Sequence, residues 1–373
     1  MRAMIMSAGL GTRLMPLTGL VPKPMAPIVN RPAMEHILRL LRRHGITEVV
    51  VNLHHFPDAI TEYFGDGSAL GVRLHYAYEP ELVGTAGGVK NNQDFLGAGT
   101  FLVMSGDSLT DVDLTALVAA HRASGGIAGL GVTEVDDPSE YGVVVTRSDG
   151  RVAGFQEKPT RTEARSNLCN CGIYVFEPAI FDRIPAATFY DFGKQVLPEL
   201  VVDGPPFFAH VIDGYWSDVG DVGEYRRGNF DALAGRVRVD IPGRELRPGF
   251  WVGEGAAIAA SAVIEPPVLL GEGCVVGEGA TLVGPVVVGD GTVIDARAHL
   301  QEAITWTGAR VGADSVVRGG IVGHRADVHA DASLEGTVMG AHAVVGSGSR
   351  LGASRLDPYT RLVRGARIGP GEA

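Results

Sequence analysis

The sequence predicts an α/β domain followed by a parallel β-helix. Three observations carry that reading: apolar runs alternate with helical patterns from Arg2 to about Ala234, the pattern changes beyond Ala234, and an aliphatic residue then recurs at every sixth position. At 373 residues the chain is long enough for two domains, each with a core of its own.

In the first half, Ala3 to Ser7 reads as a strand, Pro32 to His44 as a helix and EVVVNL, Glu48 to Leu53, as a strand. Pro32 stands early in the helix, where a missing N–H costs least, with Asn30 upstream as a cap candidate. Met34, Ile37, Leu38 and Leu41 supply its apolar face and His44-Gly45 ends it. A helix from Pro57 to Phe64, a strand from Val72 to Tyr78, a helix near Gly87 to Phe95 and a strand from Thr100 to Met104 follow. Continuously apolar strands joined by helices imply parallel strands covered on both faces. Ligands of such sheets gather at the carboxyl ends of the strands, where SAGLGTRL and Asp107 both fall.

VRVDIPGRELRPGFWVG, with its prolines and glycines, reads as a connector. The hexads then run Val252, Ile258, Ile264, Leu270, Val276, Leu282, Val288, Ile294 and Leu300. A period of six fits neither a helix nor a simple strand, but it fits a solenoid whose coils have three short faces. The phase slips near Trp306 and resumes as Val316, Val322, Val328 and Leu334, as a one-off insertion or bend would produce; Met339, Val345 and Leu351 imply another small slip. The expected organisation is 1–234, a connector over 235–250, β-helix over 251–365 and a tail over 366–373.

The composition narrows the function. A formal charge of −11 argues against a general nucleic-acid surface, though a locally basic pocket for a small anion is compatible with it. No run of about 18 apolar residues is present, so no membrane span is expected, and MRAMIMSAGLG has neither the apolar length nor the cleavage pattern of a signal peptide. Cys169, Cys171 and Cys274 make no disulfide framework; they read as small core residues in a reducing cytoplasm.

The stretch SAGLGTRLMPLTGLVPKP holds the chemistry. It lacks the third glycine and downstream acid of a dinucleotide fingerprint, and its spacing is not that of a P-loop. Its glycine turn offers backbone N–H groups to an anion, with Arg13 as a fork-shaped donor and Lys23 as a compact charge. An exposed loop with two solubilising cations would have a similar composition. Pro22 and Pro24 favour the first reading, because two fixed φ angles restrict the backbone that carries Lys23.

Gly9 to Pro24 resembles the G-x-G-T-R…P-K-P signature of the sugar-nucleotide pyrophosphorylases, a nucleotidyltransferase family. The resemblance continues in order through GTAGG (Gly84 to Gly88), Gly106-Asp107, Tyr141-Gly142, EKP (Glu157 to Pro159), NCGIYVF (Asn170 to Phe176) and WSDVG (Trp216 to Gly220). It implies a Rossmann-like mixed-sheet nucleotidyltransferase domain, and these enzymes often carry a left-handed β-helix of hexapeptide repeats. Cys171 departs from the alanine frequent beside that glycine. VVVNLHHFPDAITEYFGDG and GDSLTDVDL look most like the mannose-1-phosphate guanylyltransferase branch.

The resemblance implies Mg²⁺-dependent transfer of a nucleotidyl group from GTP to mannose 1-phosphate, releasing pyrophosphate. Uridylyl, thymidylyl or adenylyl transfer to glucose 1-phosphate, or guanylyl transfer to a heptose 1-phosphate, is the alternative. Carried over by motif, Arg13, Lys23 and Asp107 are catalytic, and Ala8, Gly9, Leu10, Gly11, Thr12, Arg13, Lys23, Gly84 and Thr85 bind the nucleotide. Gly142, Glu157, Lys158 and Asn170 bind the sugar phosphate, Asp107 and Asp218 hold the metal, and Asp111 and Asp113 serve as loop and cap residues. A homo-oligomer formed through the β-helix is expected. Two further alternatives are an added hexapeptide acyltransferase activity, for which His324, His329 and His342 are available, and a regulatory nucleotide-sugar-binding protein.

Overall fold

A computed structural model describes residues 1–369. The chain forms two compact units, one of Met1–Leu10 with Met34–Asp218, the other of Gly11–Ala33 with the chain from Val219 onward.

The first unit is built on a nine-stranded mixed sheet. Arg2–Met6 lies between Phe101–Ser105 and Glu48–Leu53, parallel to both, and Glu48–Leu53 in turn pairs in parallel with Arg73–Tyr78. Ala3, Met4 and Ile5 are fully buried, which explains why this strand is apolar on successive residues. The register sets Met6 opposite both Asn52 and Ser105, so these strands end in line. Beyond Phe101–Ser105 the sheet turns antiparallel through Leu168–Phe176, which also pairs with Ala128–Glu134.

The helix Pro57–Phe64 has its expected bounds, and the next begins at Gly84 rather than near Gly87, running to Asn91. The first helix is Ala33–Arg43, with Met34, Ile37, Leu38 and Leu41 buried on one face. Pro32 lies outside that helix, in a two-residue strand Arg31–Pro32 paired with Pro27–Ile28. Val29 and Asn30, at φ 42° and 63°, form the turn between these strands, and the Asn30 amide donates to Val288 O at 2.8 Å.

In the second unit, three parallel sheets stack around one apolar column, the arrangement of a left-handed β-helix. The first coils repeat every 18 residues: Leu270 pairs with Val288, Val276 with Ile294 and Leu282 with Leu300. From Val288 onward the repeat is 17, because Thr305, Val311 and Val317 take the next inward places. The slip is therefore not a single bend. One residue is lost at the same corner of every later coil, giving steps of five from Leu300 to Thr305, Val317 to Val322 and Leu334 to Met339. Val316, expected to point inward, yields that place to Val317, which is fully buried. Each fully buried aliphatic in this column contributes roughly 1.5–3 kcal/mol. Glycine at the corners lets coils touch: a Cβ on Gly277 would lie 2.7 Å from Ala296 N.

One face differs from the other two. Its outward residues, Leu269, Val287, Ile304, Ile321 and Val338, are buried as well. Along this side, the helix Val222–Leu233 hydrogen-bonds through Arg226 to Gly319 O, and Trp306 Nε1 donates to Tyr225 Oη. The expected connector holds a strand, Arg244–Arg247, antiparallel to Phe250–Val252. Within the expected tail, Arg367–Ile368 still pairs with the preceding coil, and 370–373 lie outside the described residues.

Candidate active site

The carboxyl ends of the parallel strands are tied together by a buried polar chain. Ser7 N donates to Asn52 Oδ1 at 2.7 Å, and Asn52 Nδ2 donates to Glu79 Oε1 at 2.8 Å. This fixes the backbone where the strand Arg2–Met6 gives way to Ala8, Gly9 and Leu10; Ala8 is buried, whereas Gly9 and Leu10 are exposed. Burial pushes the Glu79 pKa up, while the Asn52 hydrogen bond and nearby His54 pull it down. A Cβ on Gly88 would meet Glu79 Oε1 at 2.6 Å, so this glycine lets the helix Gly84–Asn91 close onto the pair. Asn52 and Glu79 are absent from the site residues inferred by motif. The available signal was a polar residue inside the otherwise apolar VVVNL.

Gly84, at φ 78°, lies against Tyr190, whose carbonyl accepts from Ala86 N and Gly87 N at 3.0 Å each. A Cβ on Gly84 would fall 2.4 Å from that oxygen. Thr85 Oγ1 donates to Asp191 Oδ2 and accepts from Phe192 N, both at 2.9 Å. Its hydroxyl thus locks the glycine-rich turn to the segment after Tyr190.

The backbones of Asp107 and Asp218, distant in sequence, are brought near each other. The strands Ser108–Thr110 and Trp216–Asp218 pair antiparallel with Asp218 opposite Ser108, one residue from Asp107. Gly106 carries Asp107 close to the first strand: Gly106 N donates to Met6 O at 2.9 Å, and a Cβ there would strike Ser7 Oγ at 2.5 Å. Two half-buried aspartates, one just before a strand and one at the end of its partner, suit a hard divalent cation that takes further oxygens from substrate phosphates. Among the described residues no group of three His, Cys, Asp or Glu forms a metal cage. Asp111 accepts from Tyr215 N at 2.7 Å, and Asp113 caps the helix Leu114–Ser124 through Ala116 N, the loop and cap places expected of them.

The inferred sugar-phosphate residues form a second group in this unit. Glu157 lies against two glycines: a Cβ on Gly193 would be 2.6 Å from Glu157 Oε2, and one on Gly142 would be 3.4 Å away. Lost solvation, then the Asp191 charge, push the Glu157 pKa up against the pull of Lys158 and Lys194. Lys158 takes a left-handed φ of 46° and its N–H donates to Tyr141 O at 3.1 Å. Asn170 Oδ1 accepts from Gly172 N and its amide donates to Tyr174 Oη at 2.7 Å. Trp216 Nε1 donates to Cys171 O at 2.9 Å, and its ring meets Tyr141 edge-on. Burial pushes the Cys171 thiol well up, so it acts here as a small buried group.

Gly11, Thr12, Arg13 and Lys23 belong to the second unit. Gly11, at φ 65°, opens a short turn over Thr12–Leu14. A Cβ on it would stand 3.0 Å from Lys23 Cβ, so the loop folds back and brings Lys23 beside its start. Thr18 Oγ1 donates to Gly11 O at 2.9 Å and fixes that return. Arg13 is exposed, whereas Lys23 is only 8% exposed. At the coil corners, the His342 ring stacks on Tyr359 at 5.0 Å and meets His324 edge-on at 5.7 Å.

The nucleotidyl transferase family model matches residues 2–234. The chain belongs to that family. A UTP–glucose-1-phosphate uridylyltransferase of Synechocystis sp. is 43% identical over 69% of this chain and 70% of its own length. A mannose-1-phosphate guanylyltransferase of Mycobacterium tuberculosis is 34% identical over 70% of this chain and 72% of its own. The fold is similar to that in the crystal structure of a glucose-1-phosphate thymidylyltransferase from Bacillus anthracis, which aligns with 64% of this chain and 97% of its own at a TM-score of 0.56 and 24% identity. As a family member the chain is a sugar-1-phosphate nucleotidyltransferase. No helix among the described residues is long and apolar enough to cross a membrane.

Proposed function

We propose that the enzyme joins a nucleoside triphosphate to a sugar 1-phosphate, releasing pyrophosphate, with Asp107 and Asp218 as the ligands of Mg²⁺. The observation that supports this reading is the pairing of Asp218 opposite Ser108, the residue after Asp107. The attacking group is already a phosphate oxygen, so the chemistry asks for positioned positive charge rather than a strong base. Arg13 grips the β- and γ-phosphates and the leaving pyrophosphate, and Lys23 offsets charge at the α-phosphate. Ala8 to Thr12, with Gly84 and Thr85, hold the nucleotide. Glu157 accepts sugar hydroxyl donors, Lys158 holds the sugar phosphate, and Gly142 and Asn170 complete the cradle. The bound Mg²⁺ supplies Lewis-acid stabilisation of phosphoryl charge.

For the substrate pair, uridylyl transfer to glucose 1-phosphate has the support of the 43% identity to the Synechocystis enzyme. Guanylyl transfer to mannose 1-phosphate is the second reading, supported by the 34% relative and by the motif stretches containing Asn52 and Asp107. The test is pyrophosphate release from GTP, UTP, ATP and dTTP, each crossed with mannose, glucose, galactose and heptose 1-phosphates. Highest turnover with UTP and glucose 1-phosphate is expected; highest turnover with GTP and mannose 1-phosphate reverses the order, and no release with any pair rejects the reading. Three buried, unbridged cysteines support a cytoplasmic setting. A homo-oligomer through the β-helix belongs to the same reading and is checked by sedimentation.

A further inference from the structure

The segment 11–33, which carries Arg13 and Lys23, makes its anchoring contacts with residues distant in sequence. At its far end, Val29 N donates to Asn229 Oδ1 at 2.9 Å, Tyr225 Oη donates to Pro27 O at 2.6 Å, and the Asn30 amide reaches Val288 O. Tyr225 is held in turn by Trp306 Nε1 at 2.8 Å. Nearer its start, Gly19 lies so close to Pro358 that a Cβ on the glycine would stand 2.6 Å from Pro358 Cγ. Arg355 Nη1 donates to Met15 O at 3.3 Å. Arg13 lies two residues before the attachment at Met15, and Lys23 lies between Gly19 and Pro27. The internal structure of the segment is slight, consisting of short 3-10 turns and a two-residue hairpin.

We propose that the last coils of the β-helix position the phosphate-gripping loop, with Pro358 and Arg355 as positioning residues for triphosphate binding. This rests on the nucleotidyltransferase reading. Short turns without a broad core of their own exchange among conformations unless another surface holds them. A cation displaced by about 1 Å from a reacting phosphate can cost on the order of 100-fold in rate. The closely packed Gly19 and Pro358 supply a stop against which the Met15–Gly19 turn rests, while the Tyr225–Trp306 pair and Val288 hold the other end. The solenoid is then part of the catalytic apparatus, acting through the loop rather than by touching substrate.

The experiment uses the full chain with Gly19→Ala, Pro358→Ala, the double variant and Arg355→Ala. Hydrogen exchange is followed over 12–25, and KM is measured separately for the triphosphate and the sugar phosphate. Gly19→Ala should speed exchange in this segment and raise the triphosphate KM about fivefold or more, with the sugar-phosphate KM within about twofold. Pro358→Ala alone removes the stop and should move both readouts in the same direction as Gly19→Ala, whereas in the double variant the methyl at position 19 takes the space of the lost ring atoms and should restore both. Arg355→Ala, at an exposed site that leaves the core intact, should move both readouts in the same direction as Gly19→Ala. Unchanged exchange in Gly19→Ala and Arg355→Ala, an equal rise in both KM values, or failure of the double variant to recover would each overturn the proposal. A wild-type chain that releases no pyrophosphate would reject the catalytic reading instead, and the exchange comparison would still decide whether the last coil holds the loop.

Discussion

Asn52 holds the glycine loop and the Glu79 carboxyl at once, accepting from Ser7 N at 2.7 Å and donating to Glu79 Oε1 at 2.8 Å. Both partners are buried. Asn52→Ala leaves each of them short of a hydrogen bond away from water, at a cost of about 1–3 kcal/mol per group. Urea unfolding should register that loss, and the triphosphate KM should rise because the loop backbone is no longer fixed. Wild-type stability in this variant would contradict the role given to the chain of bonds.

Glu79 sets a pH dependence whose sign follows from its raised pKa. The folded state holds the proton more tightly than the unfolded chain does. Its contribution therefore favours folding below the ordinary value of 4.5 and is lost as pH rises from there through the raised folded value. Glu79→Gln should flatten the slope of unfolding free energy against pH in that window relative to wild type. An unchanged slope in matched denaturant titrations would rule the assignment out.

The juxtaposition of Asp107 and Asp218 predicts a shared metal defect. Asp107→Asn and Asp218→Asn should each lower kcat by about 100-fold or more at saturating substrates. Additional Mg²⁺ should recover little of the Asp107 loss. Turnover near wild type in either variant, measured across Mg²⁺ concentrations, would remove that residue from the metal site.

Glu157, packed against Gly193, predicts selectivity between substrates. A methyl added by Gly193→Ala falls 2.6 Å from Glu157 Oε2 and should displace that carboxyl. Gly193→Ala and Lys158→Ala should raise the sugar-phosphate KM about tenfold, on the scale of one lost charge-assisted contact, and leave the triphosphate KM near normal. Initial rates in both substrates decide the point. Because the Glu157 pKa is raised, protonation should also weaken sugar binding at a higher pH than for an ordinary glutamate.

The coil register predicts unequal costs at adjacent valines. Val317 is fully buried in the column and Val316 points away from it. Val317→Ala should lose about 1–3 kcal/mol and Val316→Ala well under 1 kcal/mol. Equal losses in urea unfolding would restore the register read from hexads alone.

Much of this architecture is written in short-range patterns. The strand EVVVNL and the helix Pro57–Phe64 fall within their expected bounds because apolar runs and a proline at the first helical turn are local signals. The hexads likewise expose the column through Leu300, since each coil repeats the packing of the last. The 17-residue coils blur it, because dropping one corner residue shifts the phase while leaving the composition unchanged. In the candidate site, motifs single out Asp107 and Asp218, but only strand pairing brings their backbones near each other. Asn52 and Glu79 escaped because their partners lie on or just past other strands, far away in sequence. The face buried on both sides had a local mark, strands such as VLL and VVV with no polar residue, but nothing local says what covers it.

The attachments of segment 11–33 also set an order of events during synthesis. Met15 leaves the ribosome 340 residues ahead of Arg355, and Asn30 leaves 258 ahead of Val288. The cationic loop cannot make its last attachment until residue 355 has emerged. On the proposed reading, a nascent chain interrupted before these coils would carry every motif from Gly9 to Gly220 and still lack the surface on which segment 11–33 rests.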